Sequence, residues 1–220
     1  MPYLSLNVLC NSPENEGYGS DETRLFRQFP YARRPRIAIR EAGLLDKIEE
    51  VNVAPMPDNM DQILGFGPGA KVPGLVTDSG TYICETLAIC NYLDGVTGGR
   101  LYPKEGAARD RAFEIEGIAS LLMDSLFARS HEKRREDGEK SQGVIHKEAD
   151  RAQRSYDTLE GMVDSFGDDF HMGLMSVAAS LGYADWRHPD DNWRDGRPKL
   201  AAWYAAMENR SAVDETKVVL

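Results

Sequence analysis

Lys71-Val72-Pro73-Gly74-Leu75, followed ten residues later by Glu85-Thr86-Leu87-Ala88-Ile89-Cys90-Asn91-Tyr92-Leu93, is the stretch that decides the fold. The pattern predicts a short strand opening at Val72-Pro73, a reversal at Asp78-Ser79-Gly80, and a second strand, Thr81–Cys84, running straight into a helix. A Pro placed after a residue whose backbone must bond outward predicts a cis turn. Such a turn offers the amide and carbonyl of Val72 to a peptide-like ligand. Glu85 and Thr86, in the first turn of the next helix, add a hydroxyl and free amides suited to a carboxylate. Together they read as half of a site for a small peptide.

Outward from this stretch, Tyr3–Cys10 alternates as a strand, and residues 11–24 form a polar loop rich in Gly, Pro, Asn and Ser. Ile37–Leu44 reads as a helix closed by Gly43, and Ile48–Val53 as a strand. Residues 54–70, rich in Pro, Gly and Asp, hold at most a short helix around Met60–Leu64. This order predicts a mixed four-stranded sheet with helices on its faces. After a Gly- and Pro-containing connection at 95–103, strand patterns end. Helices are expected over Ala107 to about Arg135, Val144–Phe166, Met172–Trp186 (apolar enough to be buried) and Pro198–Glu208, with Pro at the first turn of the last. The expected domains are an α/β unit over 1–95, with an insertion at about 11–28, and an all-helical one over 104–220.

The 220 residues suffice for either one large domain or two small ones. A formal charge of −10 argues against a nucleic-acid partner, which needs a basic face. No apolar run reaches the roughly 20 residues of a membrane span, and the first residues lack a signal-peptide pattern. Three cysteines without C-x-x-C or zinc spacing fit a reducing compartment. The expectation is a cytoplasmic protein with no membrane or metal partner.

Three motifs resemble the glutathione transferases. Pro30-Tyr-Ala-Arg-Arg-Pro-Arg-Ile-Ala-Ile-Arg-Glu-Ala-Gly43 is similar to the first helix of bacterial members. Val72-Pro73 and Glu85-Thr86 resemble the family's cis-proline turn and Glu-Ser pair. Leu181-Gly-Tyr-Ala-Asp-Trp-Arg187 and Asp190-Asp-Asn-Trp-Arg-Asp-Gly-Arg-Pro198 resemble a late helix and the loop after it. The resemblance implies a thioredoxin-like N-terminal domain followed by a helical bundle. It also implies glutathione as co-substrate, a homodimer and a role in detoxification. Val72 would pair with the cysteinyl part of glutathione, at the turn that Pro73 makes. Glu85 and Thr86 would hold the γ-glutamyl end, and Lys71 would reach a ligand carboxylate. Helix N-termini and cations suit the two carboxylates of glutathione on physical grounds alone.

Transferase chemistry needs a donor to the glutathione sulfur, because a hydrogen bond that lowers the thiol pKa supplies thiolate at neutral pH. In the bacterial pattern this is a Ser before Pro-Tyr; here the position is Phe29. Three replacements stand open: the Tyr31 phenol, the Ser12 hydroxyl in Asn11-Ser12-Pro13, and Cys10, which would instead form a mixed disulfide with glutathione. Each has a plainer reading: Tyr31 packing against the second domain, Ser12 capping a turn, Cys10 an inert buried thiol. The function implied is conjugation of glutathione to a hydrophobic or anionic electrophile held between the domains. The alternatives are a non-catalytic glutathione- or protein-binding relative, and thiol transfer or reductive cleavage through Cys10.

Pro35 departs from the pattern as well. Inside a helix it costs roughly 3 kcal/mol, so the expected helix starts at Pro35 and leaves 29–34 irregular. Arg33, Arg34 and Arg36 would then surround a helix N-terminus and favour an anionic second substrate, or else form a solvated basic patch. His131, with Met123 and Phe127 at helical spacing, lines either a substrate pocket or plain core. Gly65-Phe-Gly-Pro-Gly69 precedes a strand and is no phosphate loop. His171-Met-Gly-Leu174 stands where the family carries a helix-start box, so that cap is missing.

Overall fold

A computed structural model describes residues 30–50, 61, 64, 65, 67–69 and 71–217. Cys10, Ser12, Phe29, the strand at 3–10, the insertion at 11–28 and the second half of the strand at 48–53 lie outside the described residues. The chain forms two compact units. The first runs to Leu101 and takes in the chain again from Glu215; the second is Tyr102–Asp214.

In the first unit, α1 is Pro30–Glu41, with Ile37, Ala38 and Ile39 fully buried. It ends in a Schellman turn: the Gly43 amide donates to the Arg40 carbonyl at 3.0 Å, and the Leu44 amide to the Ile39 carbonyl at 2.9 Å. Gly43 takes φ +65°, where a side chain would be strained.

The helix therefore starts at Pro30, and the expected start at Pro35 is corrected. Pro35 sits inside it and withholds the amide that would bond the Tyr31 carbonyl. That carbonyl is met instead by the Thr86 hydroxyl, which donates to it at 2.8 Å. The arginines are corrected too. Arg33 and Arg34 are buried, Arg33 Nε donates to Thr216 Oγ1 at 3.5 Å, and Arg36 pairs with Glu50 at 3.2 Å. They form neither a helix-start cluster nor a solvated patch.

β1 (Gly74–Val76) and β2 (Tyr82–Cys84) pair antiparallel, with Leu75 opposite Ile83. The reversal is closed by the Gly80 amide on the Thr77 carbonyl at 2.8 Å, with Gly80 at φ +79°. α2, Thr86–Val96, follows and buries Ile89, Cys90 and Leu93. Asp94, near its end, accepts from the Leu101 amide at 2.8 Å and ties down the connection.

The second unit is helical: α3 (Gly106–Lys133), α4 (Gln142–Met162), α5 (Met172–Arg187), α6 (Pro198–Met207) and the short α7 (Ser211–Asp214), which the sequence pattern missed. α5 is buried along Met172–Leu181, as its composition predicts. It lies close on α3: Ser180 donates to the Ala119 carbonyl at 3.0 Å, and a Cβ added at Gly173 would stand 2.6 Å from the Ala112 carbonyl. His171 precedes α5 without a side-chain cap, as expected. Asp185 accepts from Trp193 Nε1 at 2.7 Å and from Arg194, while Arg197 bonds Asp157 and Gln153. The late motifs are thus a polar clasp from helix to loop.

Candidate functional site

The Val72–Pro73 peptide bond is cis, and Pro73 is buried just ahead of β1. Among the described residues, neither the amide nor the carbonyl of Val72 makes a backbone hydrogen bond. Lys71, beside it, is exposed.

At the far end of the hairpin, Glu85 takes φ +68°, a conformation that a non-glycine residue holds at a cost of about 1–3 kcal/mol. It leads into α2, where no side chain caps the helix, and the first amides have no intrahelical partner. Free amides at the positive end of a helix are suited to a carboxylate. Glu85 is exposed; Thr86 is buried, its hydroxyl proton committed to Tyr31. The Thr86 oxygen retains acceptor capacity.

The same hydrogen bond brings the backbone of Tyr31 to the start of α2. The phenol-bearing residue lies in the first turn of α1, with its carbonyl tied to the start of α2. Lys71, Val72, Pro73, Tyr31, Glu85 and Thr86 all fall in the first unit. Cys10 and Ser12, the other candidates for activating a thiol, are outside the described residues.

A residue that sequence reasoning missed is Tyr82. An added Cβ at Gly67 would stand 2.2 Å from its Cε1, and one at Gly74 would stand 2.6 Å from its Cε2. The ring fills the space that two glycines leave on either side of the cis-proline turn. Gly67 and Gly74 therefore form a cradle for this ring. Burial, together with Cys84 and Glu85 nearby, raises the Tyr82 pKa. Gly67→Ala is expected to cost about 1–3 kcal/mol by driving the ring out. In a Tyr82→Ala background the same change should be nearly neutral. Thermal denaturation of the four proteins checks this, and equal costs in both backgrounds would disprove the cradle.

The histidine stripe is split by the fold. Met123 is fully buried in the core, whereas His131 is exposed, its ring centroid 4.0 Å from that of Phe127. Among the described residues no group of three His, Cys, Asp or Glu is placed to hold a metal ion. None of the described helices is long and apolar enough to cross a membrane.

A thioredoxin-like unit with a cis-proline turn and an uncapped helix start, joined to an all-helical unit, defines a two-part protein of the transferase type. Known proteins show what the chain is similar to. The sequence model of the glutathione S-transferase N-terminal domain matches residues 30–96. A glutathione transferase family member from Pseudomonas fluorescens Pf-5, solved with bound glutathione, superposes with a TM-score of 0.82 at 29% identity, covering 88% of this chain and 97% of that one. The GST-like protein YibF of Escherichia coli is 26% identical over 193 residues, 86% of this chain and 94% of its own. Glutathione S-transferase 2 of Saccharomyces cerevisiae is 27% identical over 206 residues, 84% of each. Residues 30–96 match the N-terminal domain of the glutathione transferase family, and the chain is similar to members of that family over most of its length.

Proposed function

We propose that the protein binds glutathione in its first unit and conjugates its thiolate to a hydrophobic or anionic electrophile. The observation that carries this reading is the pairing of the cis Val72–Pro73 turn with the uncapped start of α2 at Glu85-Thr86. Val72 holds the cysteinyl backbone by its amide and carbonyl. The α2 amides take the γ-glutamyl carboxylate, Thr86 Oγ1 accepts from the γ-glutamyl ammonium, Glu85 adds its charge there, and Lys71 answers the second carboxylate. The structures solved with bound glutathione among the similar proteins support the choice of ligand.

Tyr31 is the proposed donor to the sulfur: its phenol hydrogen-bonds the thiolate and lowers the thiol pKa. The thiolate then attacks the electrophilic carbon, forming a C–S bond as the leaving group departs with its electron pair. The functional unit is read as a cytoplasmic homodimer acting in detoxification, as the family resemblance implies.

The test is ultraviolet difference absorbance of bound glutathione near neutral pH. The wild type should show a thiolate band, and Tyr31→Phe should lose most of it, with activity reduced at least about tenfold. A band that persists in Tyr31→Phe transfers the role to Ser12 or to a backbone amide. Activity lost only in Cys10→Ser would make the chemistry thiol transfer through a mixed disulfide. Saturable binding with no thiolate in any variant would make the protein a non-catalytic glutathione binder.

A further inference from the structure

The second unit carries a cationic cluster that the glutathione reading leaves unused. It joins the C-terminal ends of α3 and α5. Arg134 Nη2 lies 3.3 Å from each ring nitrogen of His131, and Arg134 Nε donates to the Ser130 carbonyl at 3.2 Å. From α5, the Arg187 guanidinium sits over the Trp186 ring, 3.4 Å from its centroid, and beside the Tyr183 hydroxyl. Tyr183 also lies beside Ser130, so the two helix ends come together and the two arginines feel each other's charge.

Two facts make the cluster incomplete as it stands. The buried arginines of the same unit each hold a carboxylate: Arg129 holds Asp191, and Arg197 holds Asp157. Among the described residues Arg134 and Arg187 hold none, and Arg187 Nε is buried with no hydrogen-bond partner. In a chain of formal charge −10, carboxylates are plentiful, yet these two like charges face one another without one. A guanidinium donor left unbonded in a low-dielectric corner calls for an acceptor, and an oxyanion answers both the donor and the repulsion.

We propose that Arg134 and Arg187, with His131 and Trp186 beside them, form a binding site for a small ligand carrying a carboxylate or phosphate group. Burial lowers the His131 pKa, outweighing the Phe127 carbonyl, and the arginines lower it further, so the imidazole is neutral at pH 7 and the arginines supply the charge. An anion seated among them reverses the arginines' effect and raises that pKa. The Trp186 ring beneath Arg187 adds a flat apolar wall, so a carboxylate on a ring should bind more tightly than phosphate.

The inference needs no part of the glutathione reading. The test uses the full chain with saturating S-methylglutathione present, so that any glutathione site is filled. Inorganic phosphate, benzoate and neutral benzamide are titrated by calorimetry, while the His131 ring is followed by NMR. Benzoate or phosphate should bind and move the His131 titration upward, and Arg134→Gln and Arg187→Gln should each weaken binding about tenfold. Arg134 is exposed, so its variant is expected to fold, and its melting curve verifies that. Phosphate binding as tightly as benzoate identifies a phosphate site of the same chemistry. Three results would overturn the proposal: no saturable binding of either anion, benzamide binding as well as benzoate, or affinity unchanged in Arg134→Gln. A protein that failed to bind glutathione would leave these titrations as predicted.

Discussion

Glu50→Ala is expected to lower the stability of the first unit by about 2–3 kcal/mol, or roughly 5–10 °C in melting temperature. Glu50 Oε1 accepts from Arg40 Nη1 at 2.6 Å, and Oε2 accepts from Arg36 Nε at 3.2 Å. The three side chains keep between 13% and 17% of their exposure, so the pair is largely desolvated and water cannot replace the lost carboxylate. Arg40 also pairs with Glu215 at 3.1 Å, which keeps the figure below that of a fully orphaned pair. The effect should depend on pH. Burial alone would raise the Glu50 pKa, but Arg40 and Arg36 together more than reverse it, and the net value is lowered. A depressed carboxylate contributes stability that is fully present above its unfolded pKa of about 4.3 and is lost as pH falls through its folded value. Urea denaturation of the wild type and Glu50→Gln should therefore show a gap at pH 7 that closes toward about pH 3. A gap of equal size at both would mean that Glu50 acts by packing rather than charge.

What could be read from sequence was what is local. The cis turn at Val72-Pro73, the hairpin, the uncapped helix at Glu85-Thr86 and the burial of Met172–Leu181 all follow from residue types a few positions apart. Pro35 shows the limit. Its lost hydrogen bond is a local cost, but the compensation comes from Thr86, 55 residues along the chain. No periodicity announces that partner. The arginines of α1 failed for the same reason: nothing in their spacing links Arg36 to Glu50, or Arg33 and Arg40 to Thr216 and Glu215 at the other end of the chain. His131 was singled out by its helical spacing, yet the groups that give its surroundings their character, Arg187 and Trp186, arrive from α5. Tyr82 was invisible because its signal lies in two glycines whose missing side chains matter only once the hairpin is folded.

Thr86→Val should cost about 1–3 kcal/mol, because it removes the Thr86 donor from the Tyr31 carbonyl in a helix where Pro35 supplies none. The loss should depend on Pro35. In Pro35→Ala the new amide can bond the Tyr31 carbonyl in the ordinary helical way, and the Thr86 hydroxyl becomes redundant for stability. Thr86→Val made in that background should cost well under about 1 kcal/mol, giving a coupling of about 1–2 kcal/mol in a double-mutant cycle. Urea denaturation of the four proteins measures it, and additive costs would rule out the exchange of donors. Glutathione affinity in the same four proteins separates two roles for one hydroxyl. If Thr86 acts only by holding the first turn of α1 against the start of α2, Pro35→Ala should rescue both stability and binding in the Thr86→Val protein. If its oxygen also accepts from the ligand, stability should recover while affinity stays low. The second pattern is the one expected here. The hydroxyl proton is already spent on Tyr31, so Thr86 can meet glutathione only as an acceptor, and the ligand's carboxylate is left to the amides of α2.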